Sequence, residues 1–138
     1  MFQNLARLLT VGAMAGTVAV AGIGTASAKS SIEFQASPHA QHVGQWFSVH
    51  GTGVSDDSGW QRFCVQEHYG TSGAWQTVWC GRIVDPTRGQ DATGYGWVRA
   101  GHQGVLELRG VLEGVQSSTG GRTWIETESA PVAVNVVR

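Results

Sequence analysis

Charge is scarce in this sequence. Its 138 residues include 9 Lys+Arg and 10 Asp+Glu, 14% in all, for a formal net charge of −1. A nucleic-acid groove needs a surplus of cations against the phosphate backbone, and the sequence has no such surplus. Disorder is excluded from the other side, because 41% hydrophobic residues and six Trp supply ample surface for collapse. The length is too small for two ordinary domains. No window carries a sustained helical period, and a parallel sheet without crossover helices has no way to connect its strands. Catalytic signatures are also missing: there is no Gly-x-Ser-x-Gly elbow, no His-Glu-x-x-His, no phosphate loop and no Cys-x-x-Cys. Ser, His and Asp are scattered without a spacing that unites them. The chain is therefore expected to act by binding rather than catalysis, with no cofactor and no metal.

The first 28 residues contain one charge, Arg7, followed by an apolar run from Leu8 to about Ile23 and then Ala26-Ser27-Ala28. Small residues at the first and third of those last positions suit a signal peptidase, so a secretory signal peptide cleaved between Ala28 and Lys29 is expected. A retained span fits less well. Gly12, Gly16, Gly22 and Gly24 interrupt the run, which falls short of the ~20 strongly apolar residues a membrane helix needs. No Cys follows the cleavage site to carry a lipid, so the product is expected to be extracellular and free of the membrane. Cleavage removes one of the nine cations, which leaves 8 against 10 acids and a net charge of −2.

Only two cysteines are present, Cys64 and Cys80. In an oxidising compartment an even pair is read as a disulfide, worth about 3 kcal/mol through loop closure.

What the sequence does have is period-2 alternation. Runs at residues 32–36, 46–50, 60–67, 74–84, 95–100, 105–115, 122–126 and 132–137 are separated by Gly-, Ser- or Pro-bearing breaks. These are about eight short strands at roughly ten-residue spacing, the pattern of an all-β antiparallel sandwich or barrel in a single domain, residues 29–138. Residues 60–67 and 74–84 form the arms of a hairpin, and its disulfide requires both cysteine side chains on one face. That condition is met if Phe63, Val65, Trp75 and Trp79 face the core and Cys64 and Cys80 share the more polar face with Arg62, Gln66 and Arg82.

Among candidate ligand sets, Asp56 and Asp57 lie in a Ser- and Gly-rich stretch that reads as a solvated turn. His39 and His42, with His50 nearby, are too few for a structural zinc site. The tryptophans say more. With Trp75 and Trp79 assigned to packing, Trp60 stands beside Arg62, Tyr95 and Trp97 stand in register with Arg99, and Trp124 lies between Arg122 and Glu126. Val98 and Ile125 then take the inward face. An aromatic and an Arg two apart on a strand share one surface. Trp60, Arg62, Tyr95, Trp97, Arg99 and Trp124 are thus the candidate ligand-binding residues, suited to a glycan, a small aromatic molecule or a protein hot spot. Trp46, beside Phe47 and Val49, is assigned to neither face.

The run from Gln45 to Gly53, a Cys-containing hairpin, and the Val-rich close from Pro131 to Val137 resemble small secreted immunoglobulin-like domains of actinobacteria, apoproteins of the neocarzinostatin type among them. The likeness spans most of residues 31–138. It implies an immunoglobulin-like sandwich of about seven or eight strands with one disulfide inside a hairpin. Those apoproteins hold an apolar chromophore in a cleft with a second disulfide nearby; this chain has no cysteines for it, and no ligand-contact residue is carried over.

The expected function is that of a secreted, monomeric binding protein whose ligand the sequence does not name. Two rivals remain open. One is an inhibitor of a secreted hydrolase that inserts the loop of residues 68–73, and the other is a structural protein of the cell envelope or spore surface.

Overall fold

The computed structural model describes residues 30–70 and 73–138, whose regular structure is strand apart from one short 3-10 helix at Pro86–Arg88. The expected signal segment, with Ala28 and Lys29, and the loop residues Thr71 and Ser72 lie outside the described residues.

Nine strands follow in order: β1 (Ser30–Ser37), β2 (Ala40–His42), β3 (Trp46–Ser55), β4 (Trp60–Tyr69), β5 (Gln76–Cys80), β6 (Ala92–Arg99), β7 (Gly104–Ser117), β8 (Gly120–Glu128) and β9 (Val132–Val137). They form two sheets. The smaller has the order β1-β3-β6, and the larger has the order β2-β9-β7-β4-β5 with β8 also paired to β7. β7 organises the larger sheet. One edge of it pairs with β4 over ten residues, while the other edge takes β9 along its first half and β8 along its second. Every strand pairing is antiparallel except the three-residue match of β2 with β9. The chain moves from the small sheet to the large one between β1 and β2, at Pro38, which has no N–H to offer a ladder.

The core lies between the sheets, as the alternation requires. β3 turns Phe47 and Val49 inward, β6 turns Val98 inward, and the large sheet answers with Phe63, Val65, Leu106, Leu108, Leu112, Val134 and Val136, all essentially inaccessible to solvent. Each such side chain contributes about 1.5–3 kcal/mol on burial. Where Phe63 meets the facing sheet, bulk on one side is matched by its absence on the other. Phe63 faces Gly51 and Gly94, which are paired in the small sheet, and lies against Gly110 in its own. A Cβ on Gly94 would fall 2.7 Å from Phe63 Cδ1, and a Cβ on Gly110 would fall 3.0 Å from its Cε2. Trp79 is accommodated in the same way, with Gly94 and Gly96 of β6 leaving room for its indole.

One irregularity changes the expected placement of a tryptophan. Cys64 pairs with Cys80 and Val65 with Trp79, but Gln66 then pairs with Thr77, so Val78 is an extra residue in the ladder. A bulge of one residue reverses the parity of everything beyond it. Trp79 therefore packs against the core as expected, whereas Trp75 turns to the outer face of the large sheet. There the Arg109 guanidinium lies 4.4 Å from its ring centroid and His68 meets it edge-on at 4.2 Å.

The disulfide joins Cys64 and Cys80 on that outer face, with Arg62 and Gln66 as neighbours. Polar contacts roof over it: Arg62 Nε donates to Glu113 Oε1 at 2.8 Å, and Arg109 bonds both Gln66 Oε1 and Glu128 Oε2 at 2.9 Å. Cys64, Val111 and Val115 are consequently as buried as the core. The turn after β3 is held by Gln61, a fully buried amide whose side chain bonds Ser55 and Ser58. Ser55 Oγ accepts from Asp57 N at 3.1 Å, so serine and glutamine, not the two aspartates, organise this turn.

Candidate functional site

The outer face of the small sheet is built from β3 and β6. In β6, residues 94–99 read Gly-Tyr-Gly-Trp-Val-Arg: the inward positions are bare or small, filled from below by Trp79 and Phe63, and the outward positions carry Tyr95, Trp97 and Arg99. β3 alternates likewise, with Phe47 and Val49 inward and Trp46, Ser48 and His50 outward. Register then sets the rows. His50 stands opposite Tyr95, Ser48 opposite Trp97, and Trp46 opposite Arg99. β1 extends two of these rows with Gln35 beside His50 and Ser37 beside Ser48.

Same-face neighbours along a strand are about 7 Å apart, and directly paired residues across strands are about 5 Å apart. Trp97 therefore lies between Tyr95, next to it along β6, and Trp46, diagonal to it on β3, and Trp46, Tyr95 and Trp97 are 58%, 71% and 55% exposed. The His50 and Tyr95 rings lie 6.4 Å apart at their centroids. Arg99 is anchored at the edge of this patch through Nε, which donates to the Gly44 carbonyl at 3.3 Å. Beside Tyr95 the surface dips into a recess of about 280 Å3 whose floor is backbone, including the Gly51–Gly94 pair, and whose walls carry Glu33, Gln35, His50, Thr52 and Thr93. Stacking faces therefore adjoin hydroxyl, amide, carboxylate and imidazole groups.

The six expected site residues are not one surface. Tyr95, Trp97 and Arg99 share the outer face of the small sheet. Trp60 and Arg62 lie on the outer face of the large sheet, on the opposite side of the sandwich, where Trp60 is half-buried beside Val115 and Arg62 is committed to Glu113. Trp124 occupies a third position. It pairs with Gly114 on the core side of β7, and a Cβ there would lie 2.7 Å from its Cζ2. Ile125, expected inward, pairs with Glu113 and is 49% exposed. The reason is pairing. Ile125 stands opposite Glu113, which bonds Arg62 on the outer face, so Trp124 takes the other face, over Gly114. Arg122 and Glu126 flank it as expected, the first at 5.9 Å over the ring and the second accepting from Nε1 at 2.9 Å. Trp46 and His50 complete the small-sheet face. Their parity with Ser48, between the apolar Phe47 and Val49, is the signal in the sequence that identifies them.

The histidines disperse. His42, on β2, has Nδ1 2.8 Å from the Arg138 carbonyl, while His50 is on the other sheet. Among the described residues the one group of three metal-ligating types is Cys64, Cys80 and Glu113, and both sulfurs there are in the disulfide. β4 continues through His68 and Tyr69, paired with Glu107 and Leu106, so these two belong to the sheet and not to a projecting loop. No described helix is long and apolar enough to cross a membrane.

No protein-family model matches the chain, and no curated protein does. Among solved structures, a β-glucosidase from Listeria innocua is similar to it over 78% of this chain and 16% of that one, with 16% identity and a TM-score of 0.46.

Proposed function

We propose that this is a secreted binding protein that acts without catalysis, as a monomer, and that it binds a glycan on the outer face of β3 and β6. The observation that carries the proposal is the clustering of Trp46, Tyr95 and Trp97, each more than half exposed, on one three-stranded face beside a polar recess. Exposing three large aromatics forgoes several kcal/mol of burial, and contiguous patches of this kind mark interaction sites. A pyranose ring has one apolar face of C–H groups and a rim of hydroxyls. Aromatic faces with adjoining Glu33, Gln35, His50 and Thr52 offer a partner for each part. A small aromatic ligand would need deeper enclosure than an open face provides. Secretion is supported by Arg7, the apolar run and Ala26-Ser27-Ala28, and by a disulfide of the kind that persists in oxidising compartments.

The test is a titration of tryptophan fluorescence with soluble polysaccharides. Trp97 and Trp46 emission should change saturably with at least one of them. Trp97→Phe should remove most of the signal, and a flat response across neutral, acidic and amino polysaccharides would contradict the proposal.

A further inference from the structure

A second recess lies elsewhere, at the end of the sandwich where β4 runs out. Glu67, His68, Tyr69, Gln76 and His102 line about 270 Å3 there. Its walls are fixed. Tyr69 Oη accepts from the backbone N–H of Gly101 at 2.9 Å and of His102 at 3.1 Å, and the His102 ring meets Tyr69 edge-on at 5.0 Å. Gln76 is held opposite Glu67 in the β4–β5 ladder.

What distinguishes this recess is unmet hydrogen bonding. Among the described residues three buried side-chain polar atoms have no partner, Glu67 Oε2, His68 Nδ1 and Trp79 Nε1. Glu67 Oε2 belongs to this recess, on the same face of the sheet as Tyr69 and Gln76, whereas the His68 ring alternates to the outer face, against Trp75. A buried carboxylate oxygen without a donor keeps its desolvation penalty uncompensated, so the recess is poorly satisfied by its own chain. Burial holds the Glu67 carboxyl above its ordinary range, as expected of a carboxylate removed from water, and the His102 charge opposes this only in part. Among the described residues no Arg or Lys lines the recess, and Arg109 is already engaged by Gln66, Glu128 and Trp75.

A group that satisfies the Glu67 carboxylate presents N–H donors and positive charge. We propose that this recess binds a guanidinium or ammonium group, with Glu67 as its counter-ion and the Tyr69 and His102 rings as side walls. Charge-assisted hydrogen bonds of this kind are the strong ones, and a planar guanidinium can engage a carboxylate with two parallel N–H donors. The site is independent of the aromatic face, and neither requires the other.

The test uses the purified protein, uniformly 15N-labelled, titrated separately with Nα-acetylarginine amide, Nα-acetyllysine amide and glucosamine, and with Nα-acetylcitrulline amide as a neutral near-isostere of arginine. Saturable shifts at the amides of Tyr69, Gln76 and His102 are expected with a charged probe and not with citrulline. Whether the amino acids or the amino sugar binds more tightly identifies the source of the cation. Glu67→Gln should weaken binding roughly tenfold or more. Its spectrum elsewhere should match the wild type, which separates loss of the counter-ion from loss of the fold. The proposal is overturned if no charged probe gives saturable shifts, if citrulline binds as well as arginine, or if Glu67→Gln binds like wild type.

Discussion

Phe63 on β4 rests against the backbone of Gly51 on β3, across the core: a Cβ at Gly51 would fall 2.8 Å from Phe63 Cε2 and still nearer its Cζ. The close approach of the two sheets at this point depends on residue 51 having no side chain. Gly51→Ala should therefore destabilise by about 1–3 kcal/mol, the usual cost of overpacking, because the Glu33 carbonyl on β1 also blocks retreat. Urea denaturation should show a lower midpoint with an unchanged slope. An unchanged midpoint would mean that the sheets separate there without cost.

The bulge at Val78 makes the two hairpin tryptophans unequal. Trp79→Ala empties the space over Gly94 and Gly96 and should cost about 3 kcal/mol. Trp75→Ala removes an outer-face contact with Arg109 and should cost about 1 kcal/mol. Equal losses in thermal or urea denaturation would place both indoles on the same face.

Cys64 and Cys80 face each other in the ladder and close a loop of 16 residues, so replacing both by Ala should lower stability by about 3 kcal/mol. Dithiothreitol should shift the wild-type melting temperature downward and leave that of the double variant unmoved.

Burial raises the Glu67 carboxyl above its ordinary value of 4.5. The folded chain takes up this proton more readily than the unfolded one. Glu67 therefore favours the native state most below the unfolded value, and that contribution is lost as pH rises through the folded one. Glu67→Gln, neutral throughout, should melt higher than wild type at pH 7, and the difference should shrink toward pH 4. A variant that is less stable at pH 7 would show that the ionised carboxylate is satisfied within the protein.

Much of this architecture is legible as alternation. β3 and β6 each place apolar or glycine residues at every second position, so their inward and outward sets follow from parity alone, and Tyr95, Trp97 and Arg99 are identified as one stripe. Parity also puts Cys64 and Cys80 with Arg62 and Gln66. It fails at Trp75 because the extra residue in β5 is set by pairing with β4, which no count along the chain contains. It fails for Ile125 for a different reason. Charge on both sides of Trp124 suggests an outward face, but the pairing of Ile125 with Glu113, which bonds Arg62 on the outer face, turns Trp124 to the other side, over Gly114. The division of the tryptophans among three surfaces is likewise a property of the strand order. Trp60 and Trp97 carry similar local patterns and lie on opposite sides of the sandwich.

The account rests most on the aromatic face of β3 and β6, and affinity electrophoresis through gels containing soluble polysaccharides tests it directly. At least one polysaccharide should retard the wild-type protein. Tyr95→Ala and Trp97→Ala should run unretarded, each with stability within about 0.5 kcal/mol of wild type because these side chains are exposed. Trp60→Ala, on the opposite face, should be retarded like wild type. Equal retardation of the Trp97→Ala and wild-type proteins, or no retardation of wild type in any gel, would contradict the assignment of this face as the glycan-binding surface.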